Sequence, residues 1–347
     1  MPESFAGRAP GRVNLIGEHT DYNGGWVLPA ALSVGLEVAL VPRPEPIAII
    51  DAEGFEGQAE RALEEKPAGH WSDAALGSLR EAFSLELVDG GGSLSVRSTI
   101  PPGAGLSSSA ALIVAILKAA RAASGSSLSD ADIAIAARRV ETDYLGVPVG
   151  IMDQMAVAVA EPGQAMALDT RSLDYRLVAL PAGHSVEVVH SGITRQLSDG
   201  RYKARKEECD AAREAFGRED ICLLDPAEIE AASGIEETVR RRARHCATEH
   251  RRVLAAVEAL ARGDAAETGA LMNASHASMR DDFAMSLPAI DALVADAVEL
   301  GALGARLTGG GFGGCIVALV AEERRDPWLD ALLARHGDAR FIDRIAG

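Results

Sequence analysis

Three short stretches concentrate the side chains and backbone that could do chemistry. In Gly11-Arg12-Val13-Asn14-Leu15-Ile16-Gly17-Glu18-His19-Thr20-Asp21-Tyr22-Asn23-Gly24-Gly25, two carboxylates and an imidazole stand within four residues. Glu18, His19 and Asp21, flanked by glycines, offer acceptors and donors suited to a polyhydroxylated ligand such as a sugar. A metal site and an exposed polar turn are the competing readings, and no partner His or Cys at helical spacing supports zinc. In Pro101-Pro102-Gly103-Ala104-Gly105-Leu106-Ser107-Ser108-Ser109, the two glycines permit a sharp turn and close approach to a bulky anion. The three serines place hydroxyls at the mouth of a helix. The stretch reads as a phosphate cradle, although it lacks the lysine of the common P-loop, and a helix cap after a Pro-Gly turn is the plainer alternative. The third stretch, Thr308-Gly309-Gly310-Gly311-Phe312-Gly313-Gly314, lets backbone approach another loop or an anion with no side chain in the way. Its apolar flanks and Phe312 separate it from a flexible linker.

These groups need rigid elements to hold them. A short apolar strand delivers the first stretch, and residues 32–51 read as two strands joined by a Pro-rich connection. The alternation of 93–100 predicts a strand feeding the phosphate loop, and the Ala- and Leu-rich run 110–123 predicts the helix leaving it. A helix over about 129–145 starts at a Ser129 cap, and Glu141 and Asp143 near its end read as a solvated face. Asp153 opens another helix, where a charge favoured by the helix dipole is the simplest account. Strands at 164–169, 173–180 and 185–190 place a change of domain near residue 180, giving domains 1–180 and 181–347. Charged helices follow over 200–216 and 236–263. On the second of these, His245 and His250 fall on different faces, so it reads as an arginine-rich solvated helix without a metal. Two more helical stretches lead to the late glycine loop and a strand at 316–320.

Composition narrows the class. Of 347 residues, 48% are hydrophobic and 24% charged, which is ordinary for globular domains. With 34 basic against 51 acidic residues, the net charge of -17 argues against nucleic acid or an anionic membrane as the main partner. An anionic ligand therefore needs a local device to hold it. Cys209, Cys222, Cys246 and Cys315 are dispersed, with no CxxC pair and no signal-peptide pattern, which predicts a reducing, cytoplasmic setting. Lys118 and Asp153 interrupt the longest apolar stretches, so neither is expected to span a membrane.

The three motifs, in this order, resemble those of the GHMP small-molecule kinases, and the first resembles the galactokinase signature within that family. The resemblance implies a two-domain fold: an N-terminal α/β domain with a mixed, mostly antiparallel sheet and a C-terminal ferredoxin-like α/β domain, with the active site between them. It implies transfer of the ATP γ-phosphoryl group to the anomeric hydroxyl of galactose. Glu18, His19 and Asp21 should then bind sugar hydroxyls, with Gly150 and Tyr202 completing the pocket, while Arg12 and Asp153 face the reacting hydroxyl. Ser109 and Glu141 match the family's magnesium ligands. Pro102, Gly103, Ala104, Gly105, Leu106, Ser107, Ser108 and Ser109 should wrap the nucleotide phosphates, buttressed by Gly309, Gly310, Gly311 and Gly313.

A loose phosphoryl-transfer transition state needs in-line positioning and charge neutralisation more than covalent help. Arg12 would supply a fixed positive fork. Asp153 would accept the sugar proton late or act by position and charge alone; the residues leave both open. The expected partners are a neutral sugar and MgATP, with no nucleic acid or membrane, and the chain is expected to be a monomer. The family pattern is broken at His190-Ser191, where Asn-Ser or Asn-Thr is usual, and at Thr194, where a basic residue is common. Kinases for galactosamine, arabinose or galacturonate, and a non-catalytic sugar- and ATP-binding regulator, are the alternatives. Glu18 opposes an anionic sugar by charge.

Overall fold

The computed structural model describes residues 3–161, 163–194 and 200–347. In chain order these form β1 (Phe5–Asn14), β2 (Trp26–Val27), β3 (Pro29–Arg43), β4 (Ile47–Ala52), β5 (Ala59–Ala62), α1 (Asp73–Ser84), β6 (Gly91–Ser98), α2 (Ser108–Ser124) and α3 (Asp130–Arg139). A π-helical turn (Val140–Tyr144) follows, then α4 (Met152–Val159), β7 (Gln164–Asp169), β8 (Tyr175–Ala179), β9 (His184–His190), α5 (Arg201–Phe216), α6 (Pro226–Ala231) and α7 (Glu237–Ala261). The chain ends with α8 (Ala265–Asp281), α9 (Pro288–Glu299), β10 (Gly304–Leu307), β11 (Cys315–Ala321), α10 (Arg325–Arg335) and β12 (Arg340–Ala346).

Two compact units result, and neither is contiguous in sequence. The first comprises residues 1–12, 33–101 and 107–160; the second comprises 13–32, 102–106 and 161–347. The sequence reading divides the chain once, near residue 180. The compact units instead group the first motif from Val13 onward, the front of the phosphate loop and the strands β7 and β8 with the later chain. The ladders explain part of this: β2 pairs with β7, β7 with β8, and Ala30 at the start of β3 with Ala165.

In the first unit, β3 runs antiparallel to β6 over Leu36–Arg43, β6 runs parallel to β4, and β5 closes the order antiparallel to β4. One parallel pair among antiparallel ones matches the mixed, mostly antiparallel sheet expected. Helices α1 to α4 pack together, and α1 also lies against β4 and β6. The α2 helix buries Ile113, Val114, Ile116 and Leu117, so its axis is held by a dense apolar face. A reciprocal capping box between Ser129 and Asp132 starts α3 at the predicted residue.

In the second unit, four antiparallel strands take the order β10-β11-β9-β12. With helices between β9 and β10 and between β11 and β12, this is the β-α-β-β-α-β ferredoxin-like arrangement. The central strands β9 and β11 are buried along nearly their whole length, as strands covered on both faces must be. A core of Phe283, Met279, Met285, Leu293, Ile316 and Trp328 fills the space against the helices. No helix among the described residues is long and apolar enough to cross a membrane.

Candidate active site

Two clusters, one in each unit, collect the predicted residues. The first is organised by the opening of α4. Asp153 stands in its first turn and accepts bonds from Arg12 Nε (to Oδ1) and Arg12 Nη2 (to Oδ2), each at 2.8 Å, and from Ser107 Oγ at 2.6 Å. The Arg12 side chain is 5% exposed and that of Asp153 33%, so the cation is sequestered while the carboxylate faces solvent. The fork-to-carboxylate geometry fixes both groups in one plane. Asp153 therefore does more than favour a helix dipole.

Ser107 shows why. It is the N-cap of α2, yet its side chain makes no capping bond, and its backbone is left-handed at φ 61°. That conformation costs a non-glycine residue free energy and turns the hydroxyl toward Asp153 instead of the helix. Ser108 and Ser109 follow, exposed, at the positive end of the helix.

Beside this group, Glu141 is 7% exposed and accepts bonds from Ser109 Oγ at 3.0 Å and from the Gln154 amide. Burial pushes its carboxyl up to about 7, with the Asp153 charge adding to the rise and the two donors and Arg12 opposing it. The solvated-face reading of Glu141 is thus overturned. The π turn at 140–144 breaks the helical register, so Glu141 points inward while Asp143 stays exposed. Gly150 is a buried residue of the segment leading into α4.

In the second unit, the first motif forms a tight turn. His19 sits at φ 61°, its Nδ1 is 2.7 Å from the Tyr22 hydroxyl, and its ring packs 4.5 Å from Phe283 and 5.4 Å from Tyr202 between centroids. Burial, with smaller contributions from Cys209 and Tyr202, raises the Tyr22 hydroxyl well above its ordinary value, so it remains a proton donor at neutral pH. Asp21 and Tyr202 are half-buried. Glu18 is buried: Gly309 N–H donates to its Oε1 at 2.7 Å and Asn14 Nδ2 to its Oε2 at 2.9 Å.

The late glycine loop reaches the front of the phosphate loop within this same unit. A Cβ at Gly309 would lie 3.3 Å from the Gly105 carbonyl, and one at Gly314 would lie 3.0 Å from the Ala104 carbonyl. At Gly314, φ 89° also excludes ordinary side chains. Cys315 Sγ and the Ala104 carbonyl are 3.4 Å apart. Gly310, Gly311 and Gly313 complete the loop, and Phe312, at φ 61°, carries the Arg201 guanidinium 4.4 Å from its ring centre. Of the six non-glycine residues with positive φ among the described residues, three are His19, Ser107 and Phe312, one in each motif. Concentration of strain at these turns marks them as sites.

Sequence reasoning missed the base of this arrangement. Helix α7 is not a solvated helix, because Arg242, His245 and Glu249 are buried on its inner face. His245 Nε2 is 3.1 Å from the Glu18 carbonyl and its Nδ1 2.9 Å from Ser278 Oγ, which fixes a neutral tautomer with the proton on Nε2. Burial lowers this imidazole to about 4. Burial would raise Glu249, but the charges of Arg252 and Arg306 carry it the other way, to about 2. The signal was present as apolar and polar inward positions at 242, 245, 249, 253 and 256. The departures from the family pattern also have places. His190 is buried in β9 and accepts from the Gly192 N–H at 3.0 Å, and Thr194 Cγ2 occupies the space where a Gly103 Cβ would be.

A neutral His245 gives stability a defined pH dependence. Its folded value lies below the unfolded value near 6.5, so the unfolded chain takes up more protons as pH falls from 6.5 to 4. Folding stability should therefore decline over that window, by about 3 kcal/mol for this group. Urea unfolding from pH 8 to 4 should show the decline, and His245→Gln should flatten it. Parallel curves would show that His245 does not titrate as its burial requires.

Comparison with known proteins identifies the family. Residues 2–42 match the family described as the galactokinase galactose-binding signature, 70–161 the GHMP kinases N-terminal domain, and 256–338 the GHMP kinases C-terminal domain. A galactokinase of Actinobacillus pleuropneumoniae is 39% identical over 327 residues, 91% of this chain and 85% of that protein. The Lactococcus lactis galactokinase complexed with galactose superposes with a TM-score of 0.93 at 30% identity, over 99% of this chain and 94% of that one. The Methanococcus jannaschii mevalonate kinase, at 19% identity, shares the fold with a TM-score of 0.73 over 99% and 98% of the two chains. With the strained turns, the Arg12–Asp153 fork and a relative this similar along nearly its whole length, the chain belongs to the galactokinase family of GHMP kinases.

Proposed function

We propose that this protein transfers the γ-phosphoryl group of ATP to the C1 hydroxyl of D-galactose, giving galactose 1-phosphate. The observation that carries the reading is Asp153 held by three donors, Arg12 Nε, Arg12 Nη2 and Ser107 Oγ, beside the N-terminus of α2. An acceptor so fixed in direction can take a proton from a hydroxyl as its oxygen attacks phosphorus. Arg12 holds that carboxylate in place and adds positive charge where the transferred group carries negative charge. The left-handed Ser107 turn and the exposed Ser108 and Ser109 present the helix end to the nucleotide phosphates. Pro102 to Leu106, which Gly309 and Gly314 back, are the remaining nucleotide-binding residues of this reading.

Glu141 and Ser109 suit a magnesium ion: both offer oxygen, and the buried carboxylate has a proton to release near neutrality. The ion would supply charge neutralisation of the phosphates. Glu18, His19, Asp21 and Tyr202 are the sugar-binding set, in which Tyr22 fixes the His19 ring. Gly150, buried in the segment leading into α4, would complete the sugar pocket. A cytoplasmic setting fits the four free, buried thiols, and a monomer is the expectation of the sequence reading.

The test is ATP-dependent transfer to galactose, glucose, galactosamine, arabinose and galacturonate, with the phosphorylated carbon located by NMR. The expected result is phosphorylation of galactose at C1 with little on glucose or galacturonate. Preference for another sugar would retain the chemistry and overturn the substrate; sugar and ATP binding without transfer would overturn the enzyme.

A further inference from the structure

Beneath the sugar turn lies a charged group that phosphoryl transfer does not use. The Arg306 side chain on β10 is 0% exposed. Its Nη1 donates to the Asn14 carbonyl at 3.0 Å and lies 3.5 Å from Glu18 Oε1, while its Nη2 is 3.9 Å from Glu249 Oε1. Glu249 is equally buried; its Oε1 accepts from the Gly17 N–H at 2.9 Å and from Ser275 Oγ at 2.6 Å, and its Oε2 accepts from Arg252 Nε at 2.7 Å. One guanidinium is thus bracketed by two carboxylates, each gripping a backbone N–H: Gly17 at the start of the sugar turn and Gly309 at the start of the late loop.

Burying three charges is no route to stability, since well-packed apolar groups of the same volume commonly do as well or better. What such a group supplies is direction. Gly17 is held at φ 107°, and a Cβ there would sit 2.9 Å from both Val253 Cγ2 and Val27 Cα, so only glycine fits here, and of the several courses open to a glycine backbone the chain takes this positive-φ one. The bond from its N–H to Glu249 selects that course, and Arg306 sets where the Glu18 carboxylate rests.

We propose that Glu249 and Arg306 are positioning residues for sugar recognition: acting through Gly17 and Glu18, they fix the turn that presents Glu18, His19 and Asp21. This rests on the galactose reading above. Neither residue is assigned contact with substrate; their effect is on how much of the folded protein holds the turn ready to bind.

The experiment compares wild type with Glu249→Gln, Glu249→Asp and Ser275→Ala, measuring folded fraction by circular dichroism, dissociation constants for galactose and ADP by calorimetry, and both KM values. Glu249→Gln should raise the galactose Kd and KM by about tenfold or more while the ADP Kd and ATP KM stay within about twofold, and Glu249→Asp should recover part of the loss. A merely structural role would lower the folded fraction and the apparent kcat and leave both KM values where they are. That pattern, or sugar and nucleotide constants moving together, overturns the proposal. If Glu249→Gln does not fold, Ser275→Ala decides: it removes one hydrogen bond but no charge, and should still raise the galactose Kd by about threefold. An unchanged value overturns the proposal. Failure of wild type to bind galactose at all is the distinct result that overturns the substrate reading, and the variants are then titrated with whichever sugar wild type binds best.

Discussion

Asp153→Asn should lower kcat by about a thousandfold while ADP binding stays within about twofold of wild type. The substitution preserves volume but not hydrogen bonding. The carboxylate accepts from Arg12 Nε, Arg12 Nη2 and Ser107 Oγ; an asparagine must set its amide N–H₂ against one of these donors. Ser107 can rotate to accept, but Arg12 cannot, and its nearly buried guanidinium loses the negative partner it has here. The variant should therefore lose some stability as well as the proton acceptor. Steady-state kinetics and calorimetry on the folded variant separate the two. Retained turnover removes Asp153 from the chemistry and leaves Arg12 and the helix end to account for it.

Glu141→Gln should behave oppositely in stability and alike in activity. Glu141 is raised to about 7 in the folded chain against an ordinary 4.5, so the folded state holds its proton where the unfolded state has lost it. Its contribution to stability is fully present below 4.5 and is lost as pH rises through 7, at a cost of about 3 kcal/mol. A glutamine has no charge to bury. It can accept from Ser109, and rotation of the Gln154 amide would bring that residue's Oε1, buried without a hydrogen-bond partner in the structure, to meet the new N–H. Without magnesium, the variant should be the more stable protein above pH 7 and equal to wild type near pH 4.5.

Turnover should nevertheless fall by about a hundredfold or more, with the magnesium dependence weakened, because a neutral amide is a poor ligand for a hard cation. Urea unfolding at several pH values and a magnesium titration of the rate test both halves. Unchanged activity with unchanged magnesium dependence removes Glu141 from the metal site; a stability gap that does not grow with pH removes the buried charge. A stabler, weaker enzyme is the usual signature of a residue kept for function.

The motifs differ in how much of their role could be read from residues. At the glycine-serine stretch, types and spacing were enough to predict a strand, a turn and a helix N-terminus, because glycine, serine and an alanine-rich run each have strong local preferences. Glu141 was different. Periodicity alone placed it on a solvated face, and only resemblance to the GHMP kinases marked it as a ligand; the π turn that buries it has no local signature. By type and position Asp153 likewise reads as a dipole-compensating charge; the resemblance sets it with Arg12 at the reacting hydroxyl, and only the structure shows the grip between these residues, 141 positions apart in sequence.

The buried face of α7 was legible in principle. Inward positions repeat at helical spacing, but arginines and histidines among them suggested water. Lone charged residues are rarely buried, and the pairing that permits it here joins elements some 230 residues apart. The single domain break near residue 180 follows the order of elements along the chain, whereas compact units follow contact: pairing with β7 carries residues 13–32, and packing against the late glycine loop carries 102–106, to the later half.

The sequence by itself determined the family, the strands and helices next to the three motifs, and the residues able to meet a phosphate and a polyol. Those depend on local preferences and residue chemistry, which act between near neighbours. The tertiary structure decided which carboxylate is held by a guanidinium, which is buried close to neutrality and which anchors a backbone turn. A carboxylate's role is set by its desolvation and partners, and those come from distant segments that only the folded chain brings together.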